Sequence, residues 1–419
     1  MQYDVESVKD FHLSNDFEKI TKEDCVEMEK AYSRQGMNGL KEYVDRNLNS
    51  WKDTPVNIAV TGQSGSGKSS FINAVRNIDD DEHPDFAAVG ITETTFEPKP
   101  YAFPNNKNIM LWDLPGAGTE SFKADDYSNQ MDFGKYDSFV ILSESRFTEI
   151  DKLIANEISK IGKNFYFVRT KMDDVMRNER RVRKKKFDAT QIKMEIKKDC
   201  KGKLGGKGEV YLIDSFEVQE FDFQLLLKTL VEDLPAIKQQ ALAMTLQAKS
   251  MDIVGKKMDF LLARLPWVAM KSAAVGAVPI PGVSAVYDIT VISQEAHFQK
   301  QQLGIDDASL EAMARDAQMT KQQFKKKITT ASGDAAFLSV VNLGMDSIVK
   351  AAFVEVIAAE GIESLVKTVP IIGSVVAAGM SGATTYAALR IMLNSHKAVA
   401  EACLKLVANT LDEMRMDQD

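Results

Sequence analysis

The sequence predicts two structural classes in one chain: an α/β region with a mostly parallel sheet, and an all-α remainder assembled from both ends. Three observations predict this. Short runs of β-branched and aromatic residues recur at Val56, Asn106, Phe165 and Glu209, the first of them running straight into a glycine-rich turn and then a helical periodicity. On either side, residues 1–50 and 235–419 place apolar side chains at three- and four-residue steps, with few turn formers. A chain of 419 residues with 44% hydrophobic composition is long enough for two cores of ordinary size. The expected division is therefore 1–50, 51–234 and 235–419.

Charge and cysteine content narrow the function classes. A formal net charge of -8 argues against a nucleic-acid partner, because phosphate backbones call for a basic surface. The three cysteines, Cys25, Cys200 and Cys403, are odd in number and form no CxxC, so neither a disulfide framework nor a zinc knuckle is expected. A reducing, cytoplasmic setting follows, and secretion is not expected, since the first twenty residues lack a charged-then-apolar leader. Gln2 stands where N-myristoylation requires glycine.

The stretch "NIAVTGQSGSGKSSFINAVR" carries the first chemistry. Val56 to Thr61 reads as a buried strand, and "FINAVRNI" from Phe71 as an amphipathic helix. Between them, Gly62, Gln63, Ser64, Gly65, Ser66, Gly67, Lys68 and Ser69 satisfy G-x-x-x-x-G-K-[ST] at every fixed position, with Ser70 following. Glycines let successive amides wrap a polyphosphate, the helix N-terminus adds unpaired N–H groups, and Lys68 reaches the β- and γ-phosphates. The Ser69 hydroxyl can join a magnesium shell. The ligand expected is a nucleoside triphosphate with Mg²⁺.

Two further elements select the base. After the strand-like "NKNIMLWD", Asp113, Leu114, Pro115 and Gly116 supply D-x-x-G about 50 residues beyond the phosphate loop, with Asp113 placed for the metal and Gly116 for the γ-phosphate. Between the two, "GITETTF" offers Thr92, Thr94 and Thr95, one of which could complete the metal shell and make a nucleotide-dependent switch. The strand "FYFVR" then delivers Thr170, Lys171, Met172 and Asp173 to its C-terminal edge. A carboxylate at Asp173 can accept from guanine N1–H and the 2-amino group, a donor pair adenine lacks, and the Lys171 stem can lie over the base. Thr170 replaces the asparagine usual in this motif. After "EVYLIDSF", Asp214 or Ser215 is expected to offer backbone N–H to the guanine oxygen. In register, the elements favour GTP and GDP over ATP.

At this point the sequence resembles the immunity-related GTPases, the p47 interferon-inducible group. The residues that carry the resemblance are "VNIAVTGQSGSGKSSFINAVR", "GITETTFEPKPY", "LWDLPGAG", "FYFVRTKMD" and "EDLPAIKQQ", from about Asn15 to the C-terminus, with Lys68 matching the members that keep GKS. The resemblance implies a Ras-like P-loop GTPase domain, with a mostly parallel six-stranded sheet flanked by helices, beside a helical domain formed from the N- and C-terminal segments. It also implies slow intrinsic hydrolysis, GTP-dependent self-association into a homodimer or oligomer, and action at an intracellular membrane surface in cell-autonomous defence. Glu93 matches a switch-loop glutamate implicated in activation, and Thr95 matches the switch threonine. The missing myristate glycine, the degenerate fifth element and the glycine-rich C-terminal segments resemble the family's divergent members.

One catalytic group is missing. Ala117 stands directly after D-x-x-G, where Ras-type enzymes carry glutamine, so no side chain there orients the attacking water. A monomer should hydrolyse GTP slowly, with Lys68, Thr95, Glu93 and Gly116 as its available machinery, or act as a GTP-binding scaffold that recruits partners through its helical region. Of four histidines only His83 is near the switch, in the polar loop "DDDEHPD".

In the remainder, residues 14–50 predict two helices. "WVAMKSAAVGAVPIPGVSAVYD" and the stretch around Val369 predict tight helical hairpins, either core elements of a soluble bundle or membrane contacts. Lys271, Glu360, Glu363 and Lys367 argue against a spanning helix. The basic run Arg177 to Asp188 reads as a solvated loop entering the next helix, as a nuclear address, or as an anionic-lipid patch.

Overall fold

The computed structural model describes residues 20–89, 97–116, 124–145, 148–204, 208–276, 283–332 and 380–416. The chain divides into two compact units, one formed by residues 51–253 and the other by residues 1–50 together with 254–419.

The 51–253 unit is built on six strands: β1 (Val56–Gly62), β2 (Lys99–Phe103), β3 (Asn106–Asp113), β4 (Ser138–Ser143), β5 (Asn164–Arg169) and β6 (Glu209–Leu212). Their order across the sheet is β2-β3-β1-β4-β5-β6, and every pairing is parallel except the β2/β3 hairpin at one edge. The six-stranded, mostly parallel sheet expected from the sequence is therefore present. Strands covered on both faces should read as continuous apolar runs, and β4, "SFVILS", is buried at every residue. Numbered after a first helix α1 (Lys22–Asp53), the helices around this sheet are α2 (Lys68–Arg76), α3 (Ala124–Gln130), α4 (Glu149–Lys160), α5 (Met172–Arg183), α6 (Ala189–Lys203), α7 (Phe223–Glu232) and α8 (Ala236–Thr245).

Side-chain alternation along the strands sends Ala59, Phe139, Ile141, Phe167 and Leu212 into one core cluster with Phe133, Tyr136 and Ile158. Phe139 is its centre, with the Phe133 ring 4.7 Å away and Tyr136 edge-on at 5.5 Å. A second apolar set includes Phe71 of α2 and Phe223 of α7, 6.0 Å apart. Helix α8 packs against β1 and β3, and Asn105 and Asn106 donate to Thr245 at its end. This unit accordingly runs past residue 235, where the sequence placed the start of the helical segment.

Among the described residues, the other unit joins α1 to α9 (Met251–Gly276), α10 (Val283–Gln302), α11 (Asp307–Asp316), α12 (Lys321–Ser332) and α13 (Met380–Met416). The two N-terminal helices expected are the two parts of α1, broken at Gly36 by a φ of 60° and ψ of -144°. Arg264 of α9 ties the segments together, with Nε 3.0 Å from both Glu295 oxygens of α10 and its guanidinium also donating to the Leu48 carbonyl. Lys271 pairs with Asp45 at 2.7 Å, and the Tyr43 and Trp267 rings meet at 6.2 Å. A helical unit built from both termini is the result. The turn of the first predicted hairpin and the part of the second before residue 380 lie outside the described residues, while the end of the second is the start of α13. No described helix is long and apolar enough to cross a membrane.

The basic run departs from expectation. Arg177 to Arg183 belong to α5, and Lys184–Lys186 form a short 3₁₀ turn before α6. Arginine and glutamate are good helix formers, and the Glu179–Arg183 pair at 2.6 Å supports the last turn.

Two outcomes follow for stability. Phe139→Ala should destabilise the 51–253 unit by about 3–5 kcal/mol, the usual cost of emptying an aromatic core position, read as an earlier urea midpoint. Lys257 of α9 is 2% exposed, its Nζ donates to Gln302 at 2.9 Å, and burial pushes the amine down to about 7. The unfolded amine keeps its proton to about pH 10.4 while the folded one releases it near 7, so the unfolded state binds more protons between these values. The helical unit should therefore gain stability as pH rises from about 7 to 10. Lys257→Met should flatten that rise when denaturation midpoints are compared across the range.

Candidate functional site

Because β1, β3, β4, β5 and β6 run in one direction, their C-terminal ends share one edge of the sheet. That edge gathers those predicted site residues that the structure describes. The chain leaves β1 at Gly62, whose φ of 145° is compatible with glycine, and a Cβ there would stand 2.2 Å from the Leu142 carbonyl oxygen. It turns through Ser64 and Gly65 and enters α2 at Gly67, the N-cap, in the left-handed region at φ 89°. Lys68, Ser69 and Ser70 form the first turn of α2, where free N–H groups and the helix dipole favour an anion. Lys68 Nζ curls back over the loop, donating to the carbonyls of Gly62 at 3.1 Å and Gln63 at 3.3 Å. A cation is therefore held against the backbone of the loop.

One strand over, Asp113 ends β3 in register with Val60 of β1 and is almost fully buried. Leu114 N–H donates to the Val60 carbonyl at 2.9 Å, carrying the chain across the top of β1 toward Gly116. The Tyr127 hydroxyl holds this turn, donating to the Pro115 carbonyl at 2.8 Å and lying 3.1 Å from the Thr61 hydroxyl. Thr92, Glu93, Thr94, Thr95 and Ala117 lie outside the described residues.

Toward the other side of β1, the element expected to read the base begins at Thr170. This side chain is 2% exposed, and its hydroxyl donates to the Ser66 carbonyl of the phosphate loop at 2.8 Å while its N–H donates to the Ser143 carbonyl at 2.9 Å. The threonine that replaces asparagine thus serves as a tether between the two loops. Lys171 follows in the left-handed conformation, φ 55°, as N-cap of α5, and its ammonium pairs with Glu144. Asp173 stands in the first turn of α5 with its carboxylate 3.1 Å from Arg177 Nε, one helical turn along.

The fifth element comes next. Ile213 N–H donates to the Arg169 carbonyl at 2.8 Å and Met172 N–H to the Ile213 carbonyl at 3.2 Å, locking the two loops side by side. Asp214 is 6% exposed, and its carboxylate accepts from the Phe216 N–H at 3.0 Å and the Asp173 N–H at 3.3 Å. The aspartate unexpected in the sequence is occupied in bracing the turn, and half-buried Ser215 stands beside it.

The residues fit a polyphosphate with a divalent cation. Ser66 Oγ is buried, in a residue 1% exposed, and has no hydrogen-bond partner among the described residues, an arrangement that normally awaits an acceptor or donor from a ligand. The Ser69 hydroxyl and Asp113 carboxylate, at the same edge, are the oxygen donors that Mg²⁺ prefers.

Sequence reasoning missed four contributors. Glu144 and Tyr127 are ordinary residues whose partners are distant in the chain. Arg177 was legible as a basic residue one helical turn beyond Asp173. Asn73 of α2 accepts from the Ala87 N–H and donates to the Ala87 carbonyl, both at 2.8 Å, fastening the chain just before residues 90–96. His83 is half-buried, its Nδ1 accepting from the Asp85 N–H at 3.1 Å.

Comparison with known proteins gives a consistent result. The family description "Interferon-inducible GTPase (IIGP)" matches residues 21–362. Interferon-inducible GTPase 5 of Bos taurus is 33% identical over 368 residues, covering 86% of this chain and 76% of that one. T-cell-specific guanine nucleotide triphosphate-binding protein 2 of Mus musculus is 36% identical over 287 residues, covering 67% and 68%. Among solved structures, NFeoB from S. thermophilus bound to GDP·AlF4⁻ and K⁺ matches with a TM-score of 0.29 and 16% identity over 64% of this chain and 93% of that one, too loose a likeness to bear on function. On the family match, the chain belongs to the interferon-inducible GTPases.

Proposed function

We propose that this chain binds GTP and GDP with Mg²⁺ at the C-terminal edge of its sheet, hydrolyses GTP, and self-associates in the GTP state at an intracellular membrane surface. The observation that carries the reading is the Thr170–Ser66 hydrogen bond, which holds the element bearing Asp173 against the loop bearing Lys68. The 51–253 unit handles the nucleotide in this reading, and 1–50 with 254–419 form the helical unit that accompanies it.

Roles follow from placement. The loop amides from Gly62 to Gly67 and the N-terminus of α2 bind the phosphate oxygens, with Ser64, Ser66 and Ser70 adding hydroxyl contacts. Lys68 leaves the loop carbonyls to neutralise charge that builds on the β- and γ-phosphoryl oxygens as the bond to the terminal phosphorus breaks. Ser69, Asp113 and Thr95 would hold Mg²⁺, which supplies charge neutralisation across the same oxygens when bound. Gly116 offers its N–H to the γ-phosphate, and Glu93 assists attack by water. Asp173 accepts from the guanine edge, Lys171 covers the ring face, Thr170 sets the distance between base and phosphate sites, and Ser215 lies beside the guanine oxygen.

The weak point of this machinery is Ala117, which cannot orient water. A neighbouring molecule supplying the missing group would account for this gap. Ala117 equally favours a second reading, a GTP-binding scaffold that recruits partners and hardly hydrolyses.

Two measurements test the proposal. Asp173→Asn should weaken GTP binding by about 10- to 100-fold, the effect of losing charge-assisted hydrogen bonds, and shift preference toward xanthosine nucleotides, as read by competition against a fluorescent guanine nucleotide. An unchanged purine preference would remove the base-reading assignment. Phosphate release per molecule should climb with protein concentration. Rates that stay level across a wide dilution series argue for a chain that works alone, and negligible release throughout favours the scaffold.

A further inference from the structure

We propose that Glu144 sets how tightly the pocket holds its nucleotide, by drawing the Lys171 ammonium onto its own carboxylate and away from the phosphates. The inference rests on the guanine-nucleotide reading of the pocket.

Glu144 is the first residue beyond β4, and β4 ends at Ser143, whose carbonyl accepts from Thr170 N–H. It therefore emerges at the same sheet edge, between the phosphate loop and the base-reading element. Its Oε2 pairs with Lys171 Nζ, and its Oε1 is 4.0 Å from where a Cβ on Gly65 would stand. One carboxylate thus reaches the lip of the phosphate cradle and the cation expected over the base. Arg169, at the end of β5, is a second cation nearby: burial pushes its guanidinium below the usual value, and the Glu144 carboxylate opposes that shift.

Folding stability does not account for the arrangement. The Lys171 and Glu144 side chains are 45% and 46% exposed, and ion pairs that open to solvent contribute little to stability. Binding of a polyphosphate is more sensitive. A negative charge at the rim of the loop repels the ligand directly and cancels the lysine that would otherwise attract it, and both effects act in the same direction. Lys171 keeps its stem for the base while its charge is neutralised. The structure thereby separates stacking from phosphate attraction in a single lysine, with Glu144 as the separator.

The charge account differs from a purely positional one. If Glu144 only steered the Lys171 stem, its loss would weaken every guanine ligand alike, guanosine included. If it acts by charge, its loss should strengthen binding in proportion to phosphate charge.

The test uses the full chain as wild type, Glu144→Gln and Glu144→Asp, titrated with a non-hydrolysable GTP analogue, GDP and guanosine by competition. Glu144→Gln should bind the GTP analogue about three- to tenfold more tightly, chiefly through slower release, with a smaller gain for GDP and none for guanosine. Glu144→Asp, which keeps the charge, should stay close to wild type. The gain should shrink in about 0.5 M salt. Unchanged or weaker binding of the GTP analogue by Glu144→Gln, or a guanosine affinity that moves by the same factor, overturns the proposal. A wild-type chain that takes up none of the three ligands sinks the pocket reading itself, and this proposal with it.

Discussion

The hydrogen bond from the Thr170 hydroxyl to the Ser66 carbonyl is the constraint on which the site depends. The loops proposed to bind phosphate and base follow different strands, β1 and β5, with β4 between them. Sheet pairing fixes the strand ends, but the loops beyond them are held by their own contacts. Thr170 supplies that link from a fully enclosed position, where a hydrogen bond is shielded from competing water. Met172, Ile213 and Asp214 extend the same bracing to the loop after β6. The pocket is consequently a rigid edge made by three loops bonded to one another.

Much of this edge was legible because its backbone demands particular residues. A turn that passes 2.2 Å from another carbonyl at any Cβ tolerates only glycine, so Gly62 is readable as a requirement. The same holds for Lys68, placed where a polyphosphate needs a cation, and for buried strands such as "SFVILS", which announce themselves by hydrophobicity. Thr170 was visible as a replaced asparagine, but the contact it makes was not, since the partner is a backbone carbonyl with no sequence signature.

What stayed hidden has a common cause. Glu144, Tyr127 and Asn73 act through contacts with residues many positions away, and a lone carboxylate, phenol or amide in a sequence carries no address. Helix α8 shows the same limit at larger scale. Periodicity identifies "AIKQQALAMT" as helical, yet does not say which core will receive it, and in the folded chain it lies on β1 and β3. The basic run erred differently: its charge suggested a loop, while its propensity and a Glu179–Arg183 pair make the greater part of it the end of α5.

The paired hydrogen bonds between Asn73 and Ala87 carry one more consequence. An amide side chain that grips both polar groups of a single peptide residue works as a rivet, and this one is seated in α2, the helix that carries the phosphate loop. The chain is therefore pinned to α2 at residue 87, and the acidic stretch at residues 79–85 lies between that pin and the end of the helix. Residues 77–86 thus form a loop closed at both ends upon a single helix, so their carboxylates are held to the same element that opens with Lys68.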